Sequence, residues 1–403
     1  MKNIEKYLKH YAEPCIDALA GFPSGFNFSN TVVIPAYKET IHFVNDYFDS
    51  ALANVNSLMV LVINQPESDP NKQAQQDLFK AVLAMGNSVW QNQAYTLVQV
   101  AECNSYILIL DSFSHALPEK QGVGVARKQG VDSVLALIVQ NRVSSQWICS
   151  TDADASLPSR YFEVLTSCST NTVGACFNFT HFCEDLTVHN ATALYEQAMR
   201  YYVAGLEYAG SHYSFFTIGS ILAFTAKAYA NVRGFPKRSA GEDFYLLNKL
   251  AKIGNIAFLS EQTIKLTARQ SDRVPFGTGP AVNRIIELQH NHQDYCYYPP
   301  EVFIVLKEVL IAFDSLYEHC DDIDKWLINL SAEAKACILS VGLATFINKQ
   351  QTQRAPKTQF YKQLVVWFDA FKTLKFIHFA RDNYYPNIPL TKALAQAPFS
   401  VFK

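Results

Sequence analysis

The sequence predicts an α/β fold in which helices flank a mostly parallel sheet, followed by an α-helical C-terminal region. Short apolar runs rich in β-branched residues alternate with helical segments before residue 270, as is typical of parallel sheets with right-handed crossovers. From about residue 300 the sequence becomes helical and aromatic, with few strand signals. We therefore expect an N-terminal helix and loop at 1–30, an α/β domain at 31–280 and a helical region at 281–403.

Each predicted element has its own signal. Residues 1–30 have the pattern of a short helix followed by a loop rich in Gly, Pro and Ser. Apolar runs predict strands at 31–35, 58–63, 106–110, 147–150 and 218–225, and helical patterns predict helices at 45–53, at 122–139 and from 241 onwards. Ligands of such sheets lie beyond the carboxyl ends of the strands. We therefore expect the binding site around 35–39, 64–67 and 152–154.

Composition limits the classes of function. The chain has 403 residues, 49% of them hydrophobic and 17% charged, as in a globular protein of one large or two ordinary domains. A net charge of −2 argues against a broad basic surface for nucleic acid. The nine cysteines form no CxxC pair, and we expect most of them to be reduced and buried in a cytoplasmic protein. The N-terminus lacks the apolar region of a signal peptide, and no apolar run approaches the roughly 20 residues that span a bilayer.

Two carboxylates, Asp152 and Asp154, follow the predicted strand at 147–150. At the end of a buried strand, their charges carry a desolvation penalty unless a cation meets them. A hard divalent ion such as Mn²⁺ or Mg²⁺ prefers oxygen ligands and phosphate. The pattern therefore indicates a metal-dependent enzyme that handles a nucleotide diphosphate, and the alternative interpretation is an Asp-rich turn.

Five segments share an order and spacing with a known family. They are TVVIPAYKE (31–39), GVGVARKQGVD (122–132), STDAD (150–154), TIGSILAFTAKAYANVRGF (217–235) and GEDFYLLNKL (241–250). This arrangement, over roughly residues 30–270, resembles glycosyltransferase family 2, the inverting nucleotide-sugar transferases with a GT-A fold. A further segment, ARQSDRVPFGTG (268–279), looks like one found in a soluble bacterial branch of that family. The resemblance implies metal-dependent transfer of a sugar from a nucleotide-diphospho-sugar to an acceptor hydroxyl, and it implies that 31–280 is the transferase domain.

The resemblance assigns the nucleotide and the metal to the strand ends. It implies that Asp154 is a direct metal ligand, while Asp152 contacts the ribose or a metal-bound water. Pro35, Tyr37 and Glu39 would hold the base and ribose, and the alternative is a solvated loop after a strand. Family members usually carry an acidic pair after the second strand. Here the loop begins with Asn64, whose amide both donates and accepts, so UDP-sugar and GDP-sugar donors both stay open.

Basic and small residues complete the predicted donor site. The helix that begins at Gly122-Val123-Gly124 offers backbone N–H groups to an anion. Arg127, one turn on, either contacts the diphosphate or is a solvated helix residue. Gly219 and Ser220 would lie under the sugar, where a small residue permits close approach of the backbone. Arg273, in a loop with two glycines, either closes over the diphosphate or forms a structural salt bridge.

The acidic pair Glu242-Asp243 resembles the family's motif at a helix start facing the acceptor. An inverting transfer needs one base to take the proton of the acceptor hydroxyl. Asp243 is the candidate base, and Glu242 would orient the acceptor or the sugar. We expect the helix dipole to keep the Asp243 carboxylate ionised. The alternative interpretation is a pair of acidic residues favoured at any helix start.

Other functions and associations stay open at this point. One is a non-catalytic nucleotide- or sugar-binding protein on a decayed transferase fold. Another is a sugar-1-phosphate nucleotidyltransferase, although the Gly-, Arg- and Lys-containing loop usual after its first strand is absent from 36–39. Peripheral contact with a membrane and a homodimer through the C-terminal helices are compatible with the sequence, and neither is specified by it.

Overall fold

The structure is a computed structural model that describes residues 2–270 and 277–401, and the chain forms two compact units. The first unit comprises Met1–Glu184 and Thr217–Gly277, and the second comprises Asp185–Phe216 and Thr278–Lys403. The segment Asp185–Phe216 lies within the range 31–280 that was predicted for the α/β domain, yet it is grouped with the C-terminal residues.

The strands of the first unit form a single sheet. In chain order, the strands of the protein are β1 (Asn30–Ala36), β2 (Ser57–Pro66), β3 (Gly86–Asn92), β4 (Tyr95–Val100), β5 (Tyr106–Leu117), β6 (Trp147–Ser150), β7 (Ala155–Ser156), β8 (Thr172–Phe182), β9 (Leu222–Thr225), β10 (Asn255–Thr267), β11 (Cys296–Tyr297) and β12 (Ile388–Pro389). The first ten lie in the order β3-β4-β5-β2-β1-β6-β9-β8-β10-β7. The short strands β11 and β12 pair with each other in the second unit.

Parallel pairing forms the centre of this sheet. It joins β5, β2, β1 and β6, and it also joins β8 to β10. The hairpin β3–β4, the strand β9 and the short edge strand β7 run antiparallel to their neighbours. Together with the flanking helices, this arrangement confirms the predicted α/β class with a mostly parallel central sheet.

The helices follow the same chain order. They are α1 (Lys2–Tyr11), α2 (His42–Phe48), α3 (Gln73–Leu83), α4 (Gly122–Val139), α5 (Leu186–Ala209), α6 (Ala226–Asn231), α7 (Glu242–Ala251), α8 (Thr278–His290), α9 (Glu301–Ala312), α10 (Ile323–Leu327), α11 (Ala332–Ser340), α12 (Leu343–Gln353), α13 (Lys357–Trp367), α14 (Ala370–Asn383) and α15 (Leu390–Gln396). Short 3-10 helices occur at Pro14–Gly21, Ala51–Asn54, Glu163–Ser167, Gly219–Ile221, Phe313–Ser315 and Tyr317–His319.

The apolar runs of the sequence are buried where they form the middle of the sheet. In β2, every residue from 57 to 65 is buried. Helix α4 packs against both β1 and β2 and is itself buried along most of its length. Strands that are covered on both faces need continuous apolar sequence rather than alternation. This requirement explains why local sequence locates the central strands well.

The second unit has its own aromatic core. Helix α5 packs against α8 and α9, and the core beneath them includes Tyr201, Phe303, Trp326, Phe360 and Phe376. Beyond residue 300 the unit is formed by the helices α9 to α15, with β12 as a two-residue strand. This confirms the predicted α-helical C-terminal region. Among the residues that the structure describes, no helix has both the length and the apolar character to cross a membrane.

Candidate active site

The carboxyl ends of β1, β2 and β6 lie at one edge of the sheet because these strands are parallel. Tyr37 and Glu39 follow β1, Asn64 lies two residues before the end of β2, and Asp152 and Asp154 follow β6. The Thr151 N–H donates to the Val33 carbonyl at 3.1 Å, which ties the segment after β6 to β1. The predicted carboxylates therefore come together at the edge where ligands of open α/β sheets bind.

Arg127, on α4, connects two of the predicted acidic groups. The side chain is 2% exposed. Its Nη2 forms an ion pair with Asp152, and its Nε donates to Glu242 Oε1 at 2.8 Å. A third nitrogen, Nη1, donates to Ser150 Oγ at 3.0 Å. A buried guanidinium thus holds the end of β6 and the start of α7 in fixed relation, since its rigid geometry orients both carboxylates.

The small residues at 219 and 220 pack directly on this ion pair. A Cβ atom placed on Gly219 would lie 2.3 Å from Arg127 Nη2, so a side chain at this position would force the guanidinium to move. Ser220 Oγ donates to the second oxygen of the Asp152 carboxylate at 2.6 Å. The Ser220 carbonyl accepts from Thr151 Oγ1 at 2.7 Å. Asp152 is therefore oriented through both of its oxygens.

Asp154 and Glu39 approach each other around a second arginine. Arg269 Nη2 lies 2.9 Å from Glu39 Oε1 and 3.7 Å from Asp154 Oδ2. The Asp154 carbonyl accepts the Thr267 N–H at 2.9 Å, which fixes the backbone of this segment to the end of β10. Burial, followed by the neighbouring charge of Asp152, raises the pKa of Asp154 to about 7. Burial also raises the pKa of Glu39, and Arg269 opposes both shifts.

The carboxylate oxygens at this edge of the sheet suit a hard divalent cation that is also coordinated by the phosphates of a bound ligand. Within the described residues, no group of three or more His, Cys, Asp or Glu side chains is arranged to hold a metal by itself. Mg²⁺ is usually bound by one or two carboxylates together with substrate phosphates and water. The Asp154 carboxylate already lies beside one cationic group, Arg269, and together with Asp152 it supplies oxygen donors of the required kind.

Glu242 and Asp243 form the first turn of α7, after Gly241, whose φ of 71° is left-handed. Asp243 is partly exposed, and its Oδ1 accepts the Phe244 N–H at 2.7 Å. Burial, followed by the charge of Glu242, raises the pKa of Asp243 to about 7. The expectation that the helix dipole keeps this carboxylate firmly ionised is wrong, because desolvation and like-charge repulsion outweigh the dipole. A carboxylate that titrates near neutral pH is well suited to act as a base.

The glycine-rich start of α4 does not offer an open anion site at Gly124. The Gly124 N–H donates to the Arg238 carbonyl at 3.0 Å. A Cβ atom at this position would lie 2.5 Å from the Pro236 carbonyl oxygen. The glycine therefore allows the backbone of 236–238 to approach closely, and the predicted contact between this N–H and an anion is replaced by a contact within the protein.

The structure adds one acidic residue that the sequence did not single out. Asp69, in the turn after β2, accepts the Tyr37 hydroxyl at 2.6 Å and pairs with Lys38 at 2.7 Å. Hydrogen bonds from Lys38 and Tyr37 lower the pKa of Asp69 to about 2. The only sequence signal was a Ser-Asp-Pro turn five residues after Asn64.

Two buried amide oxygens near this turn have no partner within the described residues. They are Asn64 Oδ1 and Gln65 Oε1, on side chains that are 7% and 0% exposed. Burying an amide oxygen without a partner is unfavourable, so such atoms are candidates to accept a ligand N–H. The predicted contact of Asn64 with the base therefore stays a prediction, whereas Arg273 lies outside the described residues.

Comparisons with known proteins add structural likenesses at low identity. No family model and no curated protein sequence matches the chain. The crystal structure of S. aureus TarS 1-349 in complex with UDP-GlcNAc is 9% identical, and the match covers 88% of this chain and 92% of that one, with a TM-score of 0.40. The same protein in complex with UDP gives 11% identity, coverage of 88% and 89%, and a TM-score of 0.37. A mycobacterial protein gives 11% identity, coverage of 70% and 81%, and a TM-score of 0.35. At these scores the likenesses do not determine the activity of this chain.

Proposed function

We propose that the chain is a nucleotide-sugar glycosyltransferase of the GT-A type, with residues 31–280 as its transferase domain. The main support is the ionic arrangement at the carboxyl edge of the sheet. There Arg127 links Asp152 to Glu242, and carboxylates from separate segments converge beside it. These are the groups that the order of the five sequence segments assigned to a donor, a metal and a catalytic base.

The nucleotide of the donor would bind at the ends of β1 and β2. Pro35, Tyr37 and Glu39 would line the ribose and base, with Tyr37 held in place by Asp69. The unpartnered oxygen of Asn64 would accept a base N–H. Uracil and guanine both present a ring N–H, so this contact is compatible with either a UDP-sugar or a GDP-sugar donor.

Asp154 and Asp152 would hold Mn²⁺ or Mg²⁺ together with the donor phosphates. When bound, the ion would neutralise the charge that develops on the departing diphosphate. Arg127 and Ser220 orient Asp152 toward this place from the protein side. Gly219 and Ser220 would lie under the donor sugar because they stand directly beside Asp152, and Arg273 would cover the diphosphate.

Asp243 would act as the general base of an inverting transfer. The acceptor oxygen forms its bond to the anomeric carbon while the bond to the diphosphate oxygen breaks, and Asp243 takes the proton of the acceptor hydroxyl. Glu242 cannot serve as readily, because its carboxylate is buried and engaged by Arg127 at 2.8 Å. Glu242 would therefore orient the start of α7, and with it the base.

The test is binding of nucleotide diphosphates with and without Mn²⁺. Binding is measured as a rise in the thermal unfolding temperature, since a bound ligand stabilises the native state. We expect UDP or GDP to raise the unfolding temperature of the wild type in the presence of Mn²⁺. Asp154→Asn should lose this effect. Asp77→Asn is the matched control, because Asp77 is an exposed carboxylate on α3.

Two results would contradict the proposal. One is the absence of any stabilisation by nucleotide diphosphates, and the other is an unchanged affinity in Asp154→Asn. Hydrolysis of a nucleotide-sugar by the wild type in the presence of Mn²⁺ would distinguish an enzyme from a non-catalytic binding protein on the same fold. An unaltered donor after prolonged incubation would favour the binding protein.

A further inference from the structure

Arg269 lies where two carboxylates from different segments meet. It follows β10 by two residues, and the preceding Ala268 N–H donates to the Phe182 carbonyl at 2.7 Å, which anchors the backbone. The side chain reaches Glu39 Oε1 at 2.9 Å and Asp154 Oδ2 at 3.7 Å. One guanidinium therefore spans the end of β1 and the segment after β6.

The exposure of the three side chains differs in an informative way. Arg269 is 40% exposed, whereas Glu39 and Asp154 are 15% and 27% exposed. The carboxylates are the more buried partners, and the arginine is the more exposed one. Asp152, the other acidic residue at this place, is already paired with the buried Arg127. The two arginines thus differ: Arg127 is part of the interior, and Arg269 is partly exposed to solvent.

We propose that Arg269 is the resident cation of the acidic site, and that a divalent ion displaces it from Glu39 and Asp154 on binding. This inference rests on the metal site of the proposed function. A divalent ion coordinated by Asp154 would place two positive charges beside the guanidinium, and like charges at such short range repel. Arg269 would then hold the two carboxylates in position before the ion arrives, and it would set the concentration of ion that is needed for loading.

The test is titration of the protein with Mn²⁺, first alone and then with UDP or GDP present, by calorimetry or by the electron paramagnetic resonance signal of free Mn²⁺. Arg269→Gln removes the competing charge. We expect it to bind Mn²⁺ about fivefold more tightly than the wild type, the scale of a partly exposed ion pair. Arg269→Lys keeps the charge and should bind Mn²⁺ nearly as the wild type does. Asp154→Asn should abolish binding, which locates the ion.

The matched control is Arg160→Gln. Arg160 pairs with Glu163 on the surface of the same unit, with both side chains more than half exposed. The substitution makes the same change in net charge without touching the acidic site. Arg160→Gln should therefore leave the affinity for Mn²⁺ unchanged. Thermal unfolding of each variant without Mn²⁺ checks that it is folded, and Arg269→Met serves as a second neutral variant.

The outcomes separate the inference from the function on which it rests. Equal or weaker Mn²⁺ binding by Arg269→Gln, relative to Arg160→Gln, would overturn the displacement of Arg269 while leaving the metal site intact. If the wild type and every Arg269 variant fail to bind Mn²⁺ both alone and with UDP or GDP present, the metal site and the inference both fail. Titration of the same samples with UDP and GDP would then show whether the nucleotide site survives without a metal.

Discussion

Replacing Arg127 by methionine tests whether the first unit depends on its buried ionic connection. The Arg127 side chain is 2% exposed, and its partners Glu242 and Asp152 are 6% and 32% exposed. Methionine fills most of the volume but leaves Glu242 as a buried carboxylate without its cation. Breaking a buried ion pair from one side usually costs about 3–5 kcal/mol, and water can partly hydrate Asp152, so we expect a loss of about 4 kcal/mol.

A second substitution separates charge from packing. Arg127→Met combined with Glu242→Gln removes both members of the more deeply buried pair. We expect the double variant to regain about 2 kcal/mol relative to Arg127→Met, as is typical of strongly coupled neighbours. Arg160→Met, which removes one member of an exposed pair, should change stability by less than about 1 kcal/mol.

The assay is equilibrium unfolding in urea of the wild type, the two single variants and the double variant. We expect Arg127→Met to be the least stable variant, the double variant to be intermediate and Arg160→Met to be close to the wild type. A decrease in the free energy of unfolding below about 1 kcal/mol in Arg127→Met would mean that Glu242 is readily hydrated or protonated. The guanidinium would then not be needed to hold the site together. A double variant as unstable as Arg127→Met would attribute the loss to packing alone.

Three further predictions concern the same unit. Asp243→Asn should lower the transfer rate by about a hundredfold with little change in donor affinity, and near-normal transfer would exclude Asp243 as the base. The wild-type rate should rise with pH to a plateau above about 7, because only the ionised carboxylate accepts a proton. Gly219→Ala should displace the Arg127 guanidinium and weaken donor binding, measured by calorimetry, whereas an unchanged affinity would show that the close approach is dispensable. Asp132→Asn should lower the free energy of unfolding by about 3–5 kcal/mol, since it leaves the buried Lys128 without its carboxylate and, among the residues that the structure describes, with only the Tyr7 hydroxyl as acceptor. A urea midpoint equal to that of Asp77→Asn would contradict this.

The elements that sequence predicted best are those whose burial is uniform. Helix α4 has the predicted bounds 122–139, and β6 has the predicted bounds 147–150. The strands β8 and β10 were not identified. The burial of β10 is irregular along its length, and its partner β8 lies some 80 residues away, so neither the local pattern nor a nearby turn marks it. Long-range pairing of this kind depends on packing that a local window does not contain.

The candidate site was predictable in its acidic residues but not in their partners. Asp152 and Asp154 follow an apolar run, and Asp243 begins an amphipathic helix, so local sequence marks all three. Which cation meets which carboxylate depends on how α4 and the end of β10 pack against the sheet. Arg127 was expected either to contact the diphosphate or to be a solvated helix residue, whereas the structure buries its guanidinium against Asp152 and Glu242.

The discontinuity of the second unit has a consequence for how the chain is made. Helix α5 leaves the ribosome soon after β8, but its packing partners α8 and α9 begin about 70 to 90 residues after α5 ends. Until they emerge, the apolar side of α5, including Val188, Ala198 and Tyr201, has no surface from these helices to pack on. Incomplete intermediates that expose apolar surface are prone to aggregate. The nascent chain therefore carries this uncovered apolar surface for longer than a protein with two consecutive domains would.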